Sequence, residues 1–206
     1  ELNNCIQNTQ FTTCALAASA NPYYIGSLTG GPILINRSNV TVTGGGSSRS
    51  QTVLLRDPGY TGEMMKVDAP APLTGITIQN LTFCGNNNLS GNGNYLPNSN
   101  RTVCPVRQEN APTACDNLRG QPVPQCADLG VYNAERGPKS YSVTIANSAF
   151  EDATGHAVAL FGTESPTVNK KVNDLYIHDS DISGSAVTGI LAVSYTHLTL
   201  PTNREV

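Results

Sequence analysis

Two carboxylates, Glu151 and Asp181, stand where their spacing suits acid and base chemistry. Each belongs to a copy of one short pattern. Ser142-Val143-Thr144-Ile145-Ala146-Asn147-Ser148-Ala149-Phe150 is matched by Asp174-Leu175-Tyr176-Ile177-His178-Asp179-Ser180-Asp181-Ile182. Alternation with a period of two puts Phe150 and Ile182 on one side of their strands, so Ala149, Glu151, Asp181 and Ser183 take the other. If one copy lies on the other, Asp181 stands over Ala149, two positions from Glu151. A step of about 4.8 Å between strands and two residues of about 3.3 Å each separate the two Cα atoms by about 8 Å. That distance leaves room for a water between the carboxyls, as cleavage of a glycosidic bond with inversion requires. Asp152 and Asp179 flank the pair, and Tyr176 and His178 fall on an outer strand face where a ring can stack on a sugar. The competing explanation is structural: acidic outer turns keep the edges of any such stack from pairing with another chain.

The elements that must position these residues are short strands. Gly75-Ile76-Thr77-Ile78-Gln79-Asn80-Leu81-Thr82-Phe83 is a third copy of the pattern. Strands this short are unstable alone, so copies that bury their apolar face must bury it against one another, which is the logic of a solenoid. Ile145 and Ile177 are 32 residues apart, and removing the polar run 162–171 leaves 22. Ile78 and Ile145 are 67 apart, and removing the turn-rich insertion 85–128, 44 residues, leaves 23. Either remainder is one coil of three short strands and three turns. Upstream, Leu2 to Gln7 reads as a short helix. Thr13 to Leu16 and Tyr23 to Ile25 read as strands; Pro32 to Ile35, Asn39-Val40-Thr41-Val42-Thr43-Gly44-Gly45-Gly46 and Thr52 to Leu55 give the next coil, and Met64 to Val67 continues the stack. The glycine run Gly44-Gly45-Gly46 lacks the lysine and the following helix of a phosphate-binding loop, and is expected to be a tight corner.

These copies resemble the right-handed parallel β-helix of pectin lyase-like proteins, in which an Asn often occupies one turn of successive coils. Asn80, Asn147 and Asp179 fall at the matching place. Cys5-Ile6, Thr13-Cys14-Ala15-Leu16 and Pro22-Tyr23-Tyr24-Ile25 resemble the capped first coil of secreted members. The resemblance implies an all-β fold of about five coils over residues 1–192, truncated, with the cysteine-containing loop 85–128 lying over one side as a lid or as decoration. It also implies a polysaccharide as partner, bound or cleaved, and calcium as cofactor only if the reaction is a lyase's. No cofactor is otherwise expected. Gly155-His156-Ala157 is similar to the Gly-His-Gly of polygalacturonases, but that family's Asn-Thr-Asp, Asp-Asp and Arg-Ile-Lys are missing, so His156 reads as a turn residue. Lys170 and Lys171 beside Asp174 are the only nearby bases a lyase could use.

Composition bounds the alternatives. The chain has 206 residues, 13% of them charged, with 19 Gly, 13 Pro and a net charge of −3. There is no basic field for nucleic acid, and no run of 18 apolar residues to span a membrane. A monomer is expected. Six cysteines, Cys5, Cys14, Cys84, Cys104, Cys115 and Cys126, have no CxxC spacing and no histidines placed with them as zinc ligands, so disulfides in an oxidising compartment are the reading. Cys5 with Cys14 is the most economical pair, and the other four would staple the insertion in an order the spacing leaves open. Sequons stand at Asn36, Asn39, Asn80, Asn88 and Asn100. Residues 193–206 break the pattern. Val193-Ser194-Tyr195-Thr196-His197-Leu198-Thr199-Leu200-Pro201-Thr202 resembles the translation of a transposase adaptor from sequencing libraries, so this tail reads as non-native, with further coils expected beyond Ala192. Two functions compete: a secreted protein that binds or cleaves a polysaccharide, and a non-catalytic surface or adhesion module.

Overall fold

The computed structural model describes residues 1–26, 29–57, 60–85, 104, 126–133, 141–162, 174–185, 188–193 and 198–199. After a one-and-a-half-turn helix α1 (Leu2–Gln7), the chain winds through strands in triples. The first coil has β1 (Thr13–Leu16), β2 (Tyr23–Ile25) and β3 (Ile33–Ile35), and the second has β4 (Val40–Gly44), β5 (Val53–Arg56) and β6 (Met65–Asp68). The third has β7 (Leu73–Gln79), β8 (Thr82–Cys84) and β9 (Leu129–Asn133), and the fourth has β10 (Tyr141–Ala146), β11 (Ala149–Glu151) and β12 (His156–Gly162). The fifth has β13 (Leu175–His178), β14 (Asp181–Ser183) and β15 (Thr188–Val193). Every third strand pairs in parallel, giving a first sheet β1-β4-β7-β10-β13, a second β2-β5-β8-β11-β14 and a third β3-β6-β9-β12-β15. The chain is thus an all-β parallel solenoid whose described strands make five coils of three. Within the tail 193–206, Leu198–Thr199 forms β16, which continues the first sheet beside Leu175 and Tyr176.

Stacking follows the predicted register. Ile78, Ile145 and Ile177 lie in one column, continued downward by Val42 and Cys14. The parallel column is Val40, Ile76, Val143 and Leu175. All are buried, as alternation requires of a face shared by three sheets. In the second sheet Phe83 and Phe150 stack with centroids 4.6 Å apart and planes 6° from parallel. Offset or parallel aromatic stacking of this kind adds to the area each ring buries. Helix α1 closes the first coil: Asn3 accepts from the Leu34 N–H at 2.9 Å, the Arg37 guanidinium donates to the carbonyls of Ile6 and Phe11, and Ile6 is buried.

The corners between the first and second sheets carry the Asn column. Asn80, Asn147 and Asp179 all have φ between 44° and 56°, the left-handed region that Asn and Asp tolerate best. Asn147 Nδ2 donates to Asn80 Oδ1 at 2.7 Å, and Asn80 Nδ2 to Thr43 Oγ1 at 3.4 Å. The corner of the second coil differs from the expectation of a tight turn. Residues 45–52 form an excursion in which Ser48 caps a 3-10 turn at Arg49–Gln51, and the Gln51 side chain folds back on the Ser47 and Ser48 N–H groups. Polar Ser47 to Gln51 can cap their own backbone, so the glycines open a loop and do not close one.

The disulfides are Cys5–Cys14 and Cys84–Cys104, and Cys126 is also disulfide-bonded. Cys115 lies outside the described residues, as do most of 85–128, Lys170 and Lys171. The insertion leaves after β8 and returns at β9, so it joins the second sheet to the third within one coil.

Candidate functional site

Strand β11 lies between β8 and β14, and its register pairs Ala149 with Asp181 and Glu151 with Ser183. Asp181 and Glu151 are therefore one strand apart and offset by two residues. Phe83 and Phe150 occupy the inner face between them, so both acids take the outer one. Asp181 is open to solvent, its side chain 71% exposed, whereas Glu151 is partly buried.

Arg49, which the sequence reading passed over, reaches this face from the second coil. Its guanidinium pairs with the Asp181 carboxylate and donates to the carbonyls of Ser148 and Asp179, each at 3.2 Å. Its own carbonyl accepts from the Thr82 hydroxyl at 3.1 Å. The excursion 45–52 is thereby tied to three later coils. A half-exposed ion pair of this kind is worth on the order of 0–1 kcal/mol. The only hint in the sequence is the length of that second corner, since corners of two residues serve the next three coils.

Asp181 adjoins the remaining predicted residues across a single corner. Tyr176 and His178 project from β13 with ring centroids 5.0 Å apart, and Tyr176 is 43% exposed. His178 Nδ1 lies 2.8 Å from Asp179 Oδ2. Tyr176, His178, Asp179 and Asp181 thus follow one another around the outside of the fifth coil, with Glu151 one strand below Asp181. Asp152 is placed otherwise. It occupies the corner between β11 and β12 with φ 56° and is buried, and its carboxylate lies where a side chain on Gly184 would have to go.

Beside Glu151, the insertion is anchored. Cys84 is its register partner, and the Cys84–Cys104 disulfide closes a small apolar cluster with Val53 and Leu55 on the outer face of the second sheet. The outer face is therefore covered on the lower coils and open at Asp181.

Two polar groupings had no counterpart in the sequence reading. Arg56 and Asp128 form a fully buried pair, Nη2 to Oδ1 3.4 Å, and Arg56 also donates to the carbonyls of Gly62 and, at 2.7 Å, Ala127. Burial pushes the Asp128 carboxyl up to about 7; the attraction of Arg56 opposes this and nearby Asp152 adds to it. Burial also lowers the Arg56 guanidinium. On the third sheet, the Tyr132 hydroxyl donates to Glu63, Lys66 Nζ stands 4.6 Å from the Tyr132 ring centroid, and Lys66 pairs with Asp68 at 2.8 Å. Burial and the Glu63 carboxylate raise the Tyr132 phenol. The strand carrying Tyr132 follows a long insertion and contains Gly130, which hid its period. His156 begins β12, is buried, and has its pKa lowered by that burial.

Among the described residues, no three His, Cys, Asp or Glu side chains come together as a metal site, and no helix is long and apolar enough to cross a membrane. Comparison with protein-family models, curated proteins and solved structures gives no match for this chain. The functional reading therefore rests on the site's own geometry.

Proposed function

We propose that this solenoid recognises a polysaccharide outside the cell, at the corner between β13 and β14, and that Glu151 and Asp181 cleave its glycosidic bond. The observation that carries the proposal is the succession of exposed Tyr176, half-buried His178, Asp179 and Asp181 around one corner, with Asp181 one strand from Glu151. An exposed ring offers a face to a sugar, and carboxylates accept hydrogen bonds from its hydroxyls. Asp181 is the carboxylate open to water and is assigned the activation of the attacking water. Glu151, beside the covered part of the sheet, is assigned proton donation to the leaving oxygen. The disulfides support an oxidising compartment.

A second reading, a binding or adhesion module without catalysis, is favoured by Arg49, which occupies one side of the Asp181 carboxylate. Incubating the chain with a panel of polysaccharides and measuring new reducing ends separates the two. Cleavage that falls by about 100-fold or more in both Glu151→Gln and Asp181→Asn supports the catalytic assignment. Retention on a polysaccharide without release of reducing ends supports the module. Neither retention nor release overturns both.

A further inference from the structure

The outer face of the first sheet carries a ladder. Thr13 pairs with Thr41, Thr41 with Thr77, Thr77 with Thr144, and Thr144 with Tyr176. Four threonines in successive coils thus lie in one row along the solenoid axis, followed in the fifth coil by the exposed Tyr176 ring next to His178. At about 4.8 Å per strand the row is about 19 Å long. Val42, Ile78 and Ile145 beside the threonines are buried, so the hydroxyl row takes the opposite, solvent-facing side. No hydrogen bond within the described residues uses the hydroxyls of Thr41, Thr77 or Thr144. The β-branched side chain is stiff at χ1, so the row is ordered before anything binds to it.

None of the strands β1, β4, β7, β10 and β13 contains Asp, Glu, Lys or Arg. A chain of uronic acids would need cationic donors here, and Arg and Lys are the side chains that supply them. It would also meet exposed Asp179 and Asp181 at the end of the row, their side chains 80% and 71% exposed. We infer that the occupant of this face is an uncharged, extended glycan chain lying along the solenoid axis, its hydroxyls bonded to the threonine row and one sugar stacked on Tyr176. This rests on the polysaccharide reading above and narrows it to neutral polymers held on the first sheet.

The test is affinity electrophoresis of the chain in gels containing xylan, galactomannan or polygalacturonate, at about 0.1 M and about 1 M salt. Variants are Tyr176→Ala, Thr77→Arg, which blocks the middle of the row, and Thr77→Val, which keeps the shape and removes the hydroxyl. Each is first checked for an unchanged thermal midpoint. The expected result is retardation by a neutral polymer that salt does not change. It should weaken about tenfold or more in Tyr176→Ala and Thr77→Arg, and several-fold in Thr77→Val. Retention of a neutral polymer that is unaffected by all three variants overturns the inference. Retention of polygalacturonate alone, abolished by salt, also overturns it while leaving the polysaccharide reading in place. Retention by no polymer overturns both.

Discussion

The outer faces of the first and second sheets rise on the same coils, yet one is an open row of hydroxyls and the other is crossed, stapled and charged. Thr41, Thr77 and Thr144 stand free of hydrogen-bond partners among the described residues. On the second sheet, Arg49 crosses from the second coil to Asp181, and Cys104 closes over Val53, Leu55 and Cys84. The difference comes from connections. Each strand must present apolar residues inward to stack, but its outward residues are unconstrained until a loop long enough to fold back arrives. Of the long loops, residues 45–52 and 85–128 are both tied to strands of the second sheet. None is anchored on the threonine face among the described residues.

This contrast can be broken at three levels. The largest effect should come from Arg56→Met at the end of β5, where the buried partner Asp128 loses its cation. Removing one member of a buried pair typically costs about 3–5 kcal/mol. The cost should depend on pH. The Asp128 carboxyl is raised from 3.8 to about 7 in the folded state, so the fold binds the proton more tightly than the unfolded chain does. Stability is therefore lost as pH rises between those values, and without Arg56 the upper end of that window moves higher. Denaturant unfolding at pH 4 and pH 8 should show a small deficit at the lower pH and a larger one at the higher. Equal deficits at both would break the assignment.

Next in size, Cys84→Ser with Cys104→Ser should cost about 3 kcal/mol, the loop-closure value for the sequence separation of 20. It should also expose Val53 and Leu55, read as faster backbone hydrogen exchange in β5 and β8 and not in β4 and β7. Exchange that rises equally on both sheets would mean that the cover stabilises the whole stack and not one face. The smallest effect belongs to the open face: Thr144→Val should change unfolding stability by no more than about 0.5 kcal/mol, as at other surface sites without a partner. A loss above about 1 kcal/mol would show that the hydroxyl row holds the sheet together.

The coils were legible because their constraint is local and repeated. Ile78, Ile145 and Ile177 must face inward in every copy, and the left-handed corner after each selects Asn80, Asn147 and Asp179. That reading even carried the offset between Asp181 and Glu151, since register follows once the inward residues align. β9 was missed, because the insertion before it removed the phase and Gly130 erased the alternation. Arg56 could be seen only as a charge after Val53-Leu54-Leu55, with nothing to say that Asp128, 72 residues away, would meet it.

The sequence by itself therefore determined the stack: which residues fill its interior, how many strands make a coil, and which acids share an outer face. Only the tertiary structure decided what lies on those faces, including the Arg49 pairing, the cover beside Glu151, the burial of Asp152 and the open threonine row. The physical reason is that inward packing is set by neighbours in the next coil at a repeating interval, whereas each outward contact joins segments whose separation follows no period and becomes visible only when the coils are wound.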